Sequence, residues 1–172
     1  MKIRPAAMIA AIAALLATQS CKQSTAWPPE PDRVHFGDDA CAACSMIIGD
    51  ATYAAQIRSP HGATQVFDDI GCMLTKATAS TDPAGIFVRA FDGSGWIRGD
   101  GAFVLRAKDI ASPMGYGFVA FALQSDADAA AKSHPGSVVA ELKNLLGGSS
   151  RLPARPHGAA LPELSSKGEV SE

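Results

Sequence analysis

The chain has 172 residues, 47% of them hydrophobic and 19% charged, enough for one ordinary domain once terminal segments are subtracted. Its 15 Lys and Arg against 17 Asp and Glu leave a net charge of −2. No basic run occurs, so the chain lacks the clustered cations that nucleic-acid phosphates reward.

At the N-terminus, Lys2 and Arg4 precede "PAAMIAAIAALLATQSC", an apolar stretch shorter than the roughly 20 residues a spanning helix needs. Residues 1–20 read as an export signal. Cys21, behind the small Ser20, is similar to the acceptor cysteine of a bacterial lipoprotein, although "TQSC" lacks the usual Leu three positions earlier. Acylated there, the chain would be held to a membrane by its lipid; the alternative is a cleaved signal and a free protein. Lys22 supplies no inner-membrane retention cue, so the reading is a periplasmic protein anchored to the outer membrane. With Cys21 assigned to lipid, Cys41, Cys44 and Cys72 remain, an odd set in a compartment where thiols tend to pair. At least one sulfur is left for chemistry.

Residues 21–34 include "KQSTAWPPEPDRV", Pro-rich and polar, and predict an extended tether. A globular body follows over 35–146. "TYAAQIRS" and "ATQVFDD", separated by "PHG", predict a β-hairpin. "DDIGCMLTKATAS" places Ile70, Met73, Leu74 and Ala77 at helical spacing with Asp68 or Asp69 as N-cap, Gly71 counting against the helix. "GIFVRAFD" reads as a half-buried strand, "SGWIRGDGAFVLRA" as two short strands around Gly turns, and "SPMGYGFVAFALQ" as a Gly-bracketed loop followed by a strand. Residues 125–134 predict an Ala-rich helix capped by a Ser, and "SVVAELKNLL" a strand that ends as a helix. Residues 147–172, rich in Pro, Gly and Ser, predict disorder. The body therefore reads as an α+β fold of two related strand-strand-helix-strand halves, about 35–95 and 96–146, with no βαβ alternation to suggest a doubly wound sheet.

"DDACAACSMIIGD", residues 38–50, groups three sulfurs. Positions three apart converge in a turn, bringing Cys41 to Cys44; positions two apart share a face in extended chain, bringing Cys44 to Met46. A thiolate beside a thioether is a soft donor set, which selects copper(I) over hard cations. Zinc asks for four thiolate, imidazole or carboxylate ligands, and His35, His61, His134 and His157 are scattered, with His35 and His61 the outside candidates. Met114, in the loop "SPMGYG", reads either as a core filler or as a third sulfur. Met73 lies on the apolar face of the predicted helix and belongs to the core.

Together, the acceptor-like Cys21, "CAACSMII", "VFDDIGCML" after a hairpin, "GWIRGDGAFVL" and "SPMGYGFVAF" before an Ala-rich helix resemble the NosL family of nitrous oxide reductase accessory proteins over roughly residues 35–146. Ser45 stands where that family has Gly in C-x-x-C-G-M, which restricts positive φ there. The resemblance implies two related α+β halves, as in the organomercurial lyase family. It also implies copper(I) bound by donors drawn from Cys44, Met46 and Met114, with Cys41 close behind, and delivery to nitrous oxide reductase or its maturation machinery.

Cys72 reads as a small buried thiol at a helix start, and the "FDD" carboxylates as caps, since adjacent residues do not face each other across a substrate. Trp96 and Tyr116 read as packing or partner-contact residues. No catalytic triad, phosphate-cradling loop or HExxH spacing appears, so no enzyme activity is expected. The competing reading is an extracytoplasmic thiol-disulfide oxidoreductase using Cys41 and Cys44, against which the pair lies at no strand-to-helix junction.

Overall fold

The computed structural model describes residues 30–61 and 63–147; the export signal, Cys21 with most of its tether, and the tail from 148 on, including His157, lie outside them. A 3-10 turn, Ala51–Tyr53, is capped by the Asp50 carboxylate and leads into β1 (Ala55–Arg58). β1 pairs antiparallel with β2 (Thr64–Phe67), Ala55 opposite Phe67, giving the expected hairpin. The α1 helix (Ile70–Lys76) follows at once, with Asp69 as N-cap accepting from the Gly71 amide at 2.7 Å. β3 (Ile86–Arg89) and β4 (Trp96–Arg98) complete an antiparallel sheet in the order β2-β1-β3-β4.

The second sheet comprises β5 (Phe103–Arg106), β6 (Phe118–Phe121) and β7 (Val138–Glu141) in the order β6-β5-β7, with α2 (Gln124–Ala131) between β6 and β7. Both units run strand, strand, helix, strand, with the first strand in the middle and all named pairings antiparallel. This is the duplicated α+β pattern legible in the sequence. β4 is the addition: Trp96–Arg98 pairs with β3, so the second sheet begins at Phe103, not at 96. A parallel bridge, Ala90 to Ala120, stitches the sheets together, with the Phe91 amide donating to the Ala120 carbonyl.

Period-two alternation divides the core. Ile86 and Val88 of β3, Val104 of β5, and Phe118 and Ala120 of β6 face one cluster with Phe67, Ile70, Met73 and Leu74. Leu105, Val119 and Phe121 face the other side of the second sheet, where Ala127 of α2 covers them. β6 is therefore buried on both faces, which explains its unbroken apolar "FVAF". β3 differs from the half-buried expectation: Ile86, Phe87 and Val88 are all buried.

Three local expectations are corrected. The last tether residues are docked: the Asp32 amide and carbonyl both bond the fully buried Gln56 side chain, at 2.9 and 2.7 Å, and Arg58 pairs with the Asp32 carboxylate at 3.0 Å. These contacts satisfy a polar group that the β1 register turns away from the main core. No serine caps α2. Its N-cap is Leu123, without a side-chain cap bond, because the chain enters the helix two residues after β6 and Ser125 falls inside the first turn. The end of "SVVAELKNLL" is a 3-10 turn, Leu142–Leu145.

Gly71 in α1 has a packing reason: a Cβ there would lie 2.0 Å from the Tyr116 ring carbon Cγ. Helix propensity alone predicts that Gly71→Ala gains about 1 kcal/mol. Because the tyrosine ring must be displaced, the expected result in urea denaturation is instead a loss of about 1–3 kcal/mol.

Candidate metal centre

The sulfurs gather where the β2 edge turns into α1. Residues 37–48 form a tight hairpin with reciprocal backbone bonds: Gly37 N to Ile48 O at 2.9 Å, Ile48 N to Asp39 O at 2.9 Å, and Cys41 N to Met46 O at 2.8 Å. Its tip closes by Ser45 N to Cys41 O at 2.8 Å, and the Ala42 amide donates to Val66 O of β2, fixing the tip against the first sheet. Ser45 takes φ +63°, the conformation for which a glycine would be the natural choice. A serine there costs roughly 1 kcal/mol, borne because this turn sets Cys41 and Cys44 on one side.

Cys72, from the first turn of α1, meets them. The Sγ atoms of Cys41, Cys44 and Cys72 all lie within 4.8 Å of one another, and all three cysteines are free thiols. Cys41 and Cys72 are buried and Cys44 is half-buried. The backbone favours a thiolate at Cys41: burial pushes its pKa up, but hydrogen bonds from the Asp68, Ala43 and Cys44 backbones and from the Cys44 thiol outweigh it, and the net shift is downward. Burial raises the Cys44 pKa against a bond from the Met46 backbone, with the neighbouring Cys41 raising it further. Burial also pushes the Cys72 thiol far up, reinforced by the charges of Cys41, Cys44 and Asp69.

The "FDD" doublet organises this site. Asp69 is fully buried; besides capping α1, its Oδ2 accepts from the Ser112 hydroxyl at 2.6 Å and from the Met114 amide at 3.1 Å. The Ser112 Oγ in turn accepts from the Gly117 amide at 2.9 Å, closing the "SPMGYG" loop. Gly117, at φ +70°, admits no side chain, since a Cβ would lie 2.0 Å from Ala107 O. Asp68 faces the other way: its carboxylate accepts from the Gly49 amide at 3.3 Å, beside the hairpin that carries Cys41.

Sequence reasoning thus brought Cys41 and Cys44 together and passed over Cys72, whose signal, a cysteine one helical turn past a capping Asp, is also that of ordinary packing. Met46 is on the same hairpin but 52% exposed, and Met114 is buried in the core cluster that contains Cys41 and Cys72. His35 and His134 pair instead with Asp39 and Asp109, and the His61 amide bonds Ser59; among the described residues no histidine joins a metal-holding group. A surface cavity of about 660 Å³, lined by Phe87, Trp96, Ile97 and Arg98, lies at the β4 edge, across the sheet from the sulfurs. Trp96 there packs under the Arg89 guanidinium, 5.4 Å from its ring centre.

A family model, NosL, matches residues 34–144, well over half of the chain. The chain belongs to the NosL family. Among curated proteins nothing matches it. Among solved structures, this NosL-family chain is similar to the crystal structure of the copper chaperone NosL from Shewanella denitrificans. The TM-score is 0.53 at 15% identity, over 66% of this chain and 94% of that one, a likeness of fold. Within that fold, the trio Cys41, Cys44 and Cys72 is a donor set for a soft metal ion. Three thiols with no imidazole or carboxylate among them fall short of the four ligands of a structural zinc site and suit an ion content with fewer.

Two outcomes test this account. Asp69→Ala leaves the Ser112 hydroxyl and the Met114 amide unpaired and removes the cap; the expected cost is about 3 kcal/mol in chemical denaturation. Asp68 has its pKa raised by burial, opposed by the Gly49 amide and reinforced by Asp69 and Asp50. The native state therefore binds more protons than the unfolded chain between the ordinary carboxylate range and the raised value, and this group's contribution falls as pH rises through that window. Asp68→Asn, which keeps an acceptor for Gly49, should gain stability relative to wild type as denaturation midpoints are followed upward from about pH 4.

Proposed function

We propose that this protein is an exported, membrane-anchored copper(I) chaperone that delivers copper to nitrous oxide reductase by ligand exchange. The observation that carries the copper reading is the group of three free thiols within 4.8 Å, closed by hydrocarbon on one side and reaching the surface through half-buried Cys44. Soft sulfur donors favour monovalent copper, and a site with few ligands and one open side lets an incoming donor replace them singly. Met46, exposed two residues along the chain from Cys44, offers a neutral thioether that needs no proton to release metal. Met114 is a further sulfur in the same core cluster. The solved relative's description as a copper chaperone supports the reading.

The delivery target, nitrous oxide reductase or its maturation machinery, is what the family resemblance implies; lipid attachment rests on Cys21 behind Ser20 at the end of the apolar leader, and the outer-membrane setting on Lys22. No catalysis is assigned; the protein carries its metal as cargo. The oxidoreductase reading is disfavoured by burial. Cys41, the thiol most disposed to ionise, is only 2% exposed, where a protein disulfide would have to reach it.

The test is anaerobic copper(I) titration of the reduced protein against a chromophoric chelator. One copper per chain is expected, weakened by about tenfold or more in Cys44→Ala. Addition of the loaded protein to copper-free nitrous oxide reductase should restore copper to that enzyme. Failure to bind copper, together with turnover in an insulin-reduction assay, would overturn the assignment in favour of the oxidoreductase.

A further inference from the structure

The three thiols differ in depth and in the element that carries them. Cys41 and Cys72 are 2% and 3% exposed and share a core cluster with Ile48, Phe67 and Ile70. Cys44 is half-buried, and two residues on Met46 is 52% exposed. Cys41, Cys44 and Met46 ride on one hairpin, whereas Cys72 belongs to α1.

Resting on the copper reading above, we propose that the metal occupies two overlapping positions that share Cys44. The inner one is enclosed by Cys41, Cys44 and Cys72. The outer one is formed by Cys44 and Met46, and copper leaves from there.

Geometry supports the inner position. A metal–sulfur bond of about 2.3 Å places three sulfurs around one ion about 4.0 Å apart. The observed separations are at most 4.8 Å, so the widest pair closes by about 0.8 Å, within the reach of side-chain rotation. The hairpin holds two of the donors in place before metal arrives, with Cys41 N bonded to Met46 O and Ser45 N to Cys41 O, each at 2.8 Å.

The outer position rests on the hairpin tip. Its left-handed Ser45 turns the chain between Cys44 and Met46, and Met46, two residues from that thiol, is 52% exposed instead of filling the core. Phe36 and Ile47, at 41% and 51% exposed, flank the same hairpin.

Passage between the two positions is ligand exchange alone. The Met46 sulfur bonds to copper as the copper bonds to Cys72 and Cys41 break. Copper stays monovalent, no electrons move, and each released thiolate takes back from solvent the one proton that binding had expelled. Because Cys72 sits on a different element from the other donors, displacement of the hairpin from α1 by a partner removes that ligand first.

The experiment uses the reduced full chain with one equivalent of copper(I). X-ray absorption should show three sulfur neighbours in the wild type and two in both Cys72→Ala and Cys72→Ser, with affinity down about tenfold or more in each variant. Two substitutions are used so that a folding defect in one does not decide the matter, and the wild-type sulfur count stands without either. Met46→Leu should keep near-wild-type affinity but lose copper to a competing chelator about tenfold more slowly. Two sulfurs in the wild type, or unchanged affinity and sulfur count in both Cys72 variants, would remove the inner position while leaving copper binding intact. A Met46→Leu loss of affinity as large as that of Cys44→Ala would place resting copper at the surface and overturn the scheme. A wild type that binds no copper would instead sink the chaperone reading itself.

Discussion

Asp69 holds the two halves of the molecule in register around the sulfurs. Its carboxylate is fully buried, and removing such a charge from water costs several kcal/mol unless donors replace the lost solvent. Three do: the Gly71 amide at the start of α1, the Ser112 hydroxyl and the Met114 amide. Hydrogen bonds to a charged acceptor contribute about 1.5–3 kcal/mol each, so three are enough to offset burial. The donors come from chain segments more than 40 residues apart in sequence, which makes one side chain the latch between the helix that carries Cys72 and the loop that carries Met114.

Around that latch, close approach replaces volume. Gly71 exists so that Tyr116 can lie on α1, and Gly117 so that the chain can pass the Ala107 carbonyl. Asp68, pointing the other way, accepts from the Gly49 amide, and Val66 of β2 accepts from the Ala42 amide, tying the hairpin to the same strand-to-helix junction. The thiol cluster is thus set by the scaffold at this junction, with Cys41 and Cys72 in the core and half-buried Cys44 toward the surface. Such an arrangement suits a carrier: donors are held ready, yet one face stays open to exchange.

The legible part of the fold was local. The hairpin around "PHG", the Asp-capped helix, the "FVAF" strand and the repeated strand-strand-helix-strand order all follow from turn chemistry, capping and period-two alternation. What misled was equally local in cause. Ser125 looks like a cap because serine at a helix start usually is one, but the position of β6 decides where the helix begins. Residues 30–34 look like linker because their composition is polar, yet the polar groups are spent on Gln56 and Arg58. "GIFVR" carries a Phe whose burial depends on what covers the outer face of the sheet, and no spacing rule reports that.

By itself the sequence determined the chemistry available: soft sulfur donors clustered at 41–46, a capping acid at the start of α1, glycines where the backbone must turn, and a family likeness carried by several motifs in order. Backbone periodicity and side-chain type are encoded residue by residue, so they can be read that way. Only the tertiary structure decided that Cys72 joins Cys41 and Cys44, that Met46 stands outside and Met114 within, and that Asp69 spans the halves. Those facts depend on distances between segments remote in the chain, which packing sets and sequence spacing does not record.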